Sequence, residues 1–305
     1  MNIRAASAAT PASHSDYRQG FLAVVGAFTI WGLLPLYLKQ VSHVPAFQIA
    51  AHRLVWGCVV ALLWLHARRE LPGIATALAQ PRTRWLLCTS AALISVNWLL
   101  YVWGVANAHV IETSLGYFIN PLVNVMLGVL VLSERLNRWQ WTAVAIAATG
   151  VTYLAWSAGT PPWIALTLAC SFGLYGMVRK LAQVDSLVGF ACESLLLLPL
   201  GLAYLIWCEL NGSGAMGHTG MSTAVLLSLG GPLTAVPLVL FGFGALRIPY
   251  ATVGLIQYMA PTMQLLLGIF LYHEPFDGAR AIGFAFIWLA LATYAVDGIR
   301  RARRV

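Results

Sequence analysis

The sequence predicts an all-α integral membrane protein of ten transmembrane helices, arranged as two inverted five-helix repeats. Three observations carry the prediction. Charge is scarce, apolar stretches of spanning length follow one another almost end to end, and a residue pattern returns about 140 positions later.

Of 305 residues, 60% are hydrophobic and only 9% charged, whereas a soluble domain carries about a quarter charged residues. A water-soluble fold of this size has too little interior to hide that apolar surface. A bilayer accepts it, because each span needs about 20 mainly apolar residues. Helices are predicted over barrel strands, since lipid-exposed backbone must satisfy its own hydrogen bonds and the runs lack the polar alternation of barrel strands.

Charges, turn residues and prolines divide the chain into spans near 20–38, 45–66, 85–106, 111–132, 139–156, 162–178, 187–208, 223–246, 250–272 and 279–299. Residues 1–17, rich in Ala, Ser, Thr and Pro, form a predicted disordered cytoplasmic tail. The first apolar run is too long for a signal-peptide core and no small-residue cleavage site follows it. The first repeat covers 18–156, the second 157–299, and 300–305 is a basic cytoplasmic tail.

The net charge of +8 serves orientation and not nucleic-acid binding. Of the 18 Lys and Arg residues, all but Lys39, Arg280 and the intramembrane Arg53 fall on one side when alternate loops are assigned to opposite faces. By the positive-inside rule that side, with both termini, is cytoplasmic.

The recurrence links Pro121 to Pro261, Gly128 to Gly268 and Glu134 to Glu274 at an offset of 140. Earlier in each half the offset is 141, linking Gly32 to Gly173, Lys39 to Lys180 and His52 to Glu193. Five spans make an odd number of crossings, so the second copy enters from the opposite side. Inverted repeats of this kind characterise secondary transporters, whose substrate site lies near the midplane between the halves.

Pro121 and Pro261 fall about 15–17 Å into their spans at the helical rise, near the centre of a core about 30 Å thick. Each removes a helix hydrogen bond and loosens its turn. The freed carbonyls belong to Tyr117 and Gln257, and Asn124 and Gln264 lie three residues beyond the prolines on the same faces. Together with Asn120 beside Pro121, these residues are candidates to bind a small-molecule substrate, or else to join helices by hydrogen bonds.

Arg53 is the one basic residue assigned well inside a span, and Glu193 is the clearest intramembrane acid. Both are costly there. Their depths differ by about 8 Å at the helical rise, so they are expected to pair, as a gate, a substrate-charge reader, a proton-coupling pair or a structural ion pair. Trp31, Asn97, Trp98, Tyr101 and Tyr175 complete the candidate lining; Asn97 and Tyr101 share a helix face at i, i+4. Spans 1–4 and 6–9 are expected to line the cavity, with spans 5 and 10 as scaffold.

The five cysteines are dispersed through apolar runs without metal-ligand spacing, so no disulfide, metal or cofactor is expected. Nucleophile-elbow, zinc-protease, phosphate-loop and dinucleotide-binding motifs are all absent, which weighs against enzymatic catalysis and against an ATP-driven pump. The competing classes are a passive channel or sensor and an intramembrane lipid-modifying enzyme built on His52, Arg53 and Glu193.

The segments FTIWGLLPLYLK (28–39), AAHRLVWG (50–57), NWLLYVWGVAN (97–107), SLGYFINPLVNVMLG (114–128), SFGLYGMVRK (171–180) and FAFIW (284–288) resemble the RarD branch of the EamA-type transporters, within the drug/metabolite transporter superfamily. The resemblance runs from about 18 to 298 and implies ten helices in a five-plus-five inverted repeat and a permease of the bacterial inner membrane. It supplies no binding residues, so the site rests on the residues above. The expectation is a multi-pass permease for a small organic metabolite or drug-like solute, driven by a gradient, with a proton as the candidate coupling ion. Substrate, direction and oligomeric state are not fixed by the sequence.

Overall fold

The computed structural model describes residues 14–107, 109–157, 163–273 and 278–302, and these are helical with no strand among them. The helices are α1 (His14–Gln40), α2 (Ala46–Ala67), α3 (Pro72–Ala79), α4 (Pro81–Ala106), α5 (Val110–Leu130), α6 (Arg138–Ser157) and α7 (Trp163–Ala182). They continue as α8 (Ser186–Leu210), α9 (Ala215–His218), α10 (Met221–Arg247), α11 (Tyr250–Gln257), α12 (Met259–Phe270) and α13 (Gly278–Ala302). Every apolar run marked in the sequence lies on a helix. The short α3 and α9 were not anticipated, because they sit in polar connections and are defined by turns.

Among the described residues, six helical spans are long and apolar enough to cross a membrane: Ser15–Gln40, Ala46–Ala67, Trp163–Ala182, Ser186–Leu210, Met221–Arg247 and Tyr250–Phe270. Shorter apolar stretches, Leu115–Leu130 and Ala281–Asp297, lie in α5 and α13. Leu63, Leu130, Leu200 and Phe270 turn outward and are exposed. Lipid, unlike water, exacts nothing for these side chains.

Two boundaries differ from the sequence reading. The tail assigned to 1–17 shortens, because α1 begins at His14; residues 1–13 lie outside the described residues, as does Glu274. At the other end α13 carries helix through Ala302, and 303–305 lie outside the described residues. The sixth span extends to Ala182, so Arg179, counted with the loop charges, is a helical residue only 4% exposed.

Helix starts are secured by side chains that are often remote in sequence. Asp185 accepts from the backbone N–H groups of Leu187 (3.0 Å) and Val188 (3.3 Å), capping α8. Glu134, at the end of α5, accepts from Tyr250 N (2.6 Å) and Ala251 N (2.9 Å), so it caps α11 in the other half of the chain. Lys180 Nζ stands 3.8 Å from the same carboxylate and donates to Ile248 O at 2.6 Å. A negative charge at a helix N-terminus and a cation beside it reinforce one another.

Helix ends repeat. Ser133 and His273, 140 positions apart, both take the left-handed conformation, with φ of 56° and 54°. Leu132 N bonds Leu127 O at 3.2 Å after α5, and Tyr272 N bonds Leu267 O at 3.0 Å after α12. Packing follows the same correspondence. A Cβ on Gly32 of α1 would meet Met263 of α12 at 2.8 Å, and one on Gly173 of α7 would meet Val123 of α5 at 2.7 Å. α1 packs on α10 and α12, and α7 packs on α4 and α5, while α2 pairs with α8, α5 with α11 and α6 with α13.

The two proline turns come out differently. α5 passes through Pro121 as one helix, whereas in the span containing Pro261 a single turn residue, Tyr258, with near-helical φ of −60° and ψ of −14°, separates α11 from α12. Pro261 has no N–H to offer the carbonyl of Gln257, and the helix is interrupted directly after that residue.

Candidate functional site

A cavity of about 180 Å³ opens between α1, α2, α4, α5, α7, α10, α11 and α12. Its walls are largely aromatic, with Phe28, Trp31, Trp98, Tyr101, Tyr117 and Phe172, and its polar lining comprises Arg53, Asn97, Thr113, Asn120, Gln257 and Gln264. Pro35 and Pro261 line it as well, and α8, α6 and α13 contribute no lining residue. The scaffold role expected for spans 5 and 10 agrees with this. The lining role expected for span 7 does not, because α8 turns its polar residues toward α4 and α7.

Nine of the twelve predicted binding residues therefore converge on one cavity: Trp31, Arg53, Asn97, Trp98, Tyr101, Tyr117, Asn120, Gln257 and Gln264. Tyr101 and Tyr117 meet edge to face with centroids 5.9 Å apart. Tyr117 is 42% exposed although it stands within the bundle, because its ring faces the open space.

The amide groups serve two purposes at once. Asn97 Nδ2 donates to Leu168 O (2.8 Å) and Ser171 Oγ (3.0 Å), tying α4 to α7. Asn120 Nδ2 donates to Ala169 O at 3.2 Å, and Gln264 Nε2 to Trp31 O at 3.1 Å, tying α5 to α7 and α12 to α1. One N–H of each is thus spent on a neighbouring backbone carbonyl, which is the helix-joining role of polar groups in membranes.

Asn124 is a correction. It is fully buried and does not line the cavity; its Nδ2 donates to Gln257 Oε1 at 2.7 Å. The reason lies in the close crossing of α5 and α11, where a Cβ on Gly254 would meet Pro121 O at 2.6 Å and Asn124 Cβ at 3.0 Å. Pro121 is drawn into the same crossing and is likewise absent from the lining.

Arg53 also departs from expectation. Its Nε donates to Thr234 Oγ1 on α10 at 2.9 Å, and Thr234 in turn donates to Gly230 O at 2.8 Å. The hydroxyls of Tyr37, Tyr101 and Tyr117 lie in its electrostatic surroundings. Gly230 makes the room, since a Cβ there would approach Tyr37 Oη at 2.7 Å and Arg53 Cγ at 2.9 Å.

Glu193 belongs to a separate buried cluster. Arg179 Nε is 3.5 Å from Glu193 Oε1, Ser90 Oγ donates to that same oxygen, and Tyr175 Oη donates to Oε2 at 3.2 Å. Arg179 Nη2 also donates to Ser186 O at 2.9 Å. The expected Arg53–Glu193 pair does not form, because Arg179 and Tyr175, four residues apart on α7, present two of the acid's three partners from one helix face. Gly189, one turn before Glu193, leaves space that the Arg179 guanidinium fills.

Tyr175 joins this cluster to the cavity. Its ring stacks on Phe241 at 6.4 Å and packs by Phe172 at 5.8 Å, while Phe241 also meets Phe28 at 6.1 Å and Trp31 at 5.9 Å. The aromatic floor of the cavity is therefore the roof of the buried ion cluster. Arg179, Thr234 and Ser90 were missed in the sequence. Arg179 had a signal, the i, i+4 spacing from Tyr175; Ser90 and Thr234 had none, being single hydroxyls in long apolar runs.

Comparison with known proteins places the chain in a family. Residues 18–156 match the EamA-like transporter family. Over 96% of its length the chain is 44% identical to Protein RarD of Streptomyces exfoliatus, covering 93% of that protein. It is 41% identical to Protein RarD of Escherichia coli over 94% of this chain and 97% of that one. An uncharacterized transporter of Pseudomonas aeruginosa is 45% identical, over 95% and 98% of the two chains. A chain of known crystal structure shares the fold with a TM-score of 0.70 at 20% identity, covering 92% of this chain and 98% of its own. The aromatic cavity within an apolar helical bundle thus sits in a multi-pass membrane protein, and the chain belongs to the RarD family of EamA-type transporters.

Proposed function

We propose that this chain is a secondary transporter, and not an enzyme, that carries a small organic metabolite or drug-like solute by alternating access around the Arg53 cavity. The observation that carries the reading is the cavity itself: residues from both halves of the chain enclose it, and one of its walls is the α11–α12 span that contains Pro261. A proline-loosened helix beside a cavity is a recurrent construction of transporter sites.

The proposed architecture is ten spans in two inverted repeats, 18–156 and 157–299. It draws support from the matched helix ends at Ser133 and His273, and from the matched glycine contacts at Gly32 and Gly173. With both termini on the cytoplasmic side, the cavity lies toward the outer ends of α1, α2, α4 and α5. The Arg179–Glu193 cluster and the Glu134–Lys180–α11 contact then close the inner side. Such a closure favours a gated carrier over a passive pore.

Purified protein reconstituted in liposomes should give saturable flux with trans-stimulation for a solute that also raises its melting temperature. Flux that rises linearly with concentration and shows no trans-stimulation would replace the carrier with a channel.

A further inference from the structure

We propose that the cavity is built for a small organic monoanion, with an anionic group such as a carboxylate on Arg53 and a flat apolar body between Trp31, Trp98 and Phe172. This rests on the transporter reading only for its consequence, flux; the binding class follows from the lining.

Arg53 is the one charged side chain among the described residues that line the cavity. No carboxylate among the described residues forms an ion pair with it, and the acid expected to pair with it, Glu193, is committed to Arg179. A cation inside a membrane protein without a counter-charge is costly and marks a functional site by default. A bound anion would supply the missing charge.

The guanidinium is also set up for this. Its Nε is held by Thr234, which fixes the plane, and its terminal nitrogens make no hydrogen bond to a described residue. Those nitrogens carry the paired N–H groups that match a carboxylate in bidentate fashion. Of the nearby amides, Asn97, Asn120 and Gln264 each direct an N–H to a backbone carbonyl, and the donors that remain, Gln257 Nε2 among them, are uncharged, so Arg53 supplies the counter-charge.

Charge and size narrow the class. One cation balances one negative charge, and a ligand ammonium would find no acid in the described lining. Aromatic faces favour a flat apolar body. A volume of about 180 Å³ falls below the roughly 300–1,000 Å³ of drug-sized sites, which points to a solute with a single ring.

Phenylacetate, phenylacetamide and phenethylamine share one ring and differ in charge, so they serve as probes for thermal stabilisation of the full chain in lipid nanodiscs. Phenylacetate should bind at least about tenfold more tightly than the other two, as expected when a charge-assisted pair replaces a neutral one. Arg53→Gln should abolish that preference, and Arg53→Lys should retain part of it. Thr234→Val, which frees the guanidinium but keeps its charge, should weaken phenylacetate and leave phenylacetamide unchanged. The proposal is overturned if the amide or the amine stabilises wild type as well as the carboxylate, or if no probe shifts the melting temperature. Retention of the preference in Arg53→Gln overturns it equally, and should that variant not fold, the wild-type and Thr234→Val comparisons decide. Carboxylate-selective binding without flux in liposomes would leave the anion site standing and remove the transporter reading. Carrier-type flux of neutral solutes, indifferent to Arg53→Gln, would do the reverse.

Discussion

Arg179 and Glu193 face one another across α7 and α8, Nε to Oε1 at 3.5 Å, with both side chains almost wholly buried. The pairing leaves Arg53 without an acid and separates two tasks that one ion pair had been expected to perform. Arg179–Glu193 holds helices together, and Arg53 is left facing the cavity.

Double-mutant cycles should therefore find coupling between Arg179 and Glu193 and none between Arg53 and Glu193. Removing one partner of a buried pair typically costs about 3–5 kcal/mol, because the other charge is stranded. Arg179→Met and Glu193→Leu should each lower thermal stability in detergent, and the double variant should lose clearly less than the two losses added together. Additive losses for Arg179 and Glu193 would contradict the assignment.

Gly189→Ala should behave like a partial loss of the same pair. A methyl at this position falls on the Arg179 guanidinium, and overpacking of this kind costs about 1–3 kcal/mol. A melting temperature equal to wild type would mean that Arg179 can lie elsewhere without penalty.

Asn124→Leu and Gln264→Leu should separate structure from binding. Asn124 is buried and bonded to Gln257, so its loss should lower stability by roughly 1 kcal/mol, within the range for interhelical hydrogen bonds in membranes. Gln264 lines the cavity and also bonds Trp31 O, so its replacement should impair ligand stabilisation beyond any change in the unliganded melting temperature. Full flux by the double variant would place the solute path elsewhere.

Glu134→Gln should loosen the start of α11. The carboxylate receives two backbone N–H groups and faces Lys180; neutralising it while keeping its shape removes the charge-assisted share, about 0.5–2 kcal/mol by analogy with helix capping and dipole effects. Labelling of a cysteine introduced at Ile248, which is buried beneath this contact, should accelerate in the variant, and an unchanged rate would show that Glu134 does not close that end.

Orientation is testable with cysteines placed singly in a background lacking the native five. Ser157 and Ser213 are exposed at one set of helix ends, and Ala79 and Arg138 at the other. The basic-residue asymmetry predicts that an impermeant reagent labels the first two in intact cells and spares the second two. The opposite pattern would invert the proposed topology.

What the sequence determined by itself was what depends on apolar run length and on which residues share a helix face. Apolar run length placed the helices, since spanning a bilayer is a one-dimensional requirement, and the recurrence of Pro121 at Pro261 marked where a span would weaken. The convergence of Trp98, Tyr101, Tyr117 and Gln257 was also legible, because depth and helix face can be counted along a chain. Tertiary structure decided the partners. Counting along the helices suggested a pairing of Arg53 with Glu193, but lateral position within the bundle gave Glu193 to Arg179 and Thr234 to Arg53. It likewise buried Asn124 while leaving Gln264 on the cavity wall. Helical rise fixes a residue's height, whereas its neighbours at that height depend on how eight helices are rotated and packed, and that rotation is set by close approaches such as Gly254 on Pro121 and Gly230 beside Arg53, whose geometry exists only once the chain has folded.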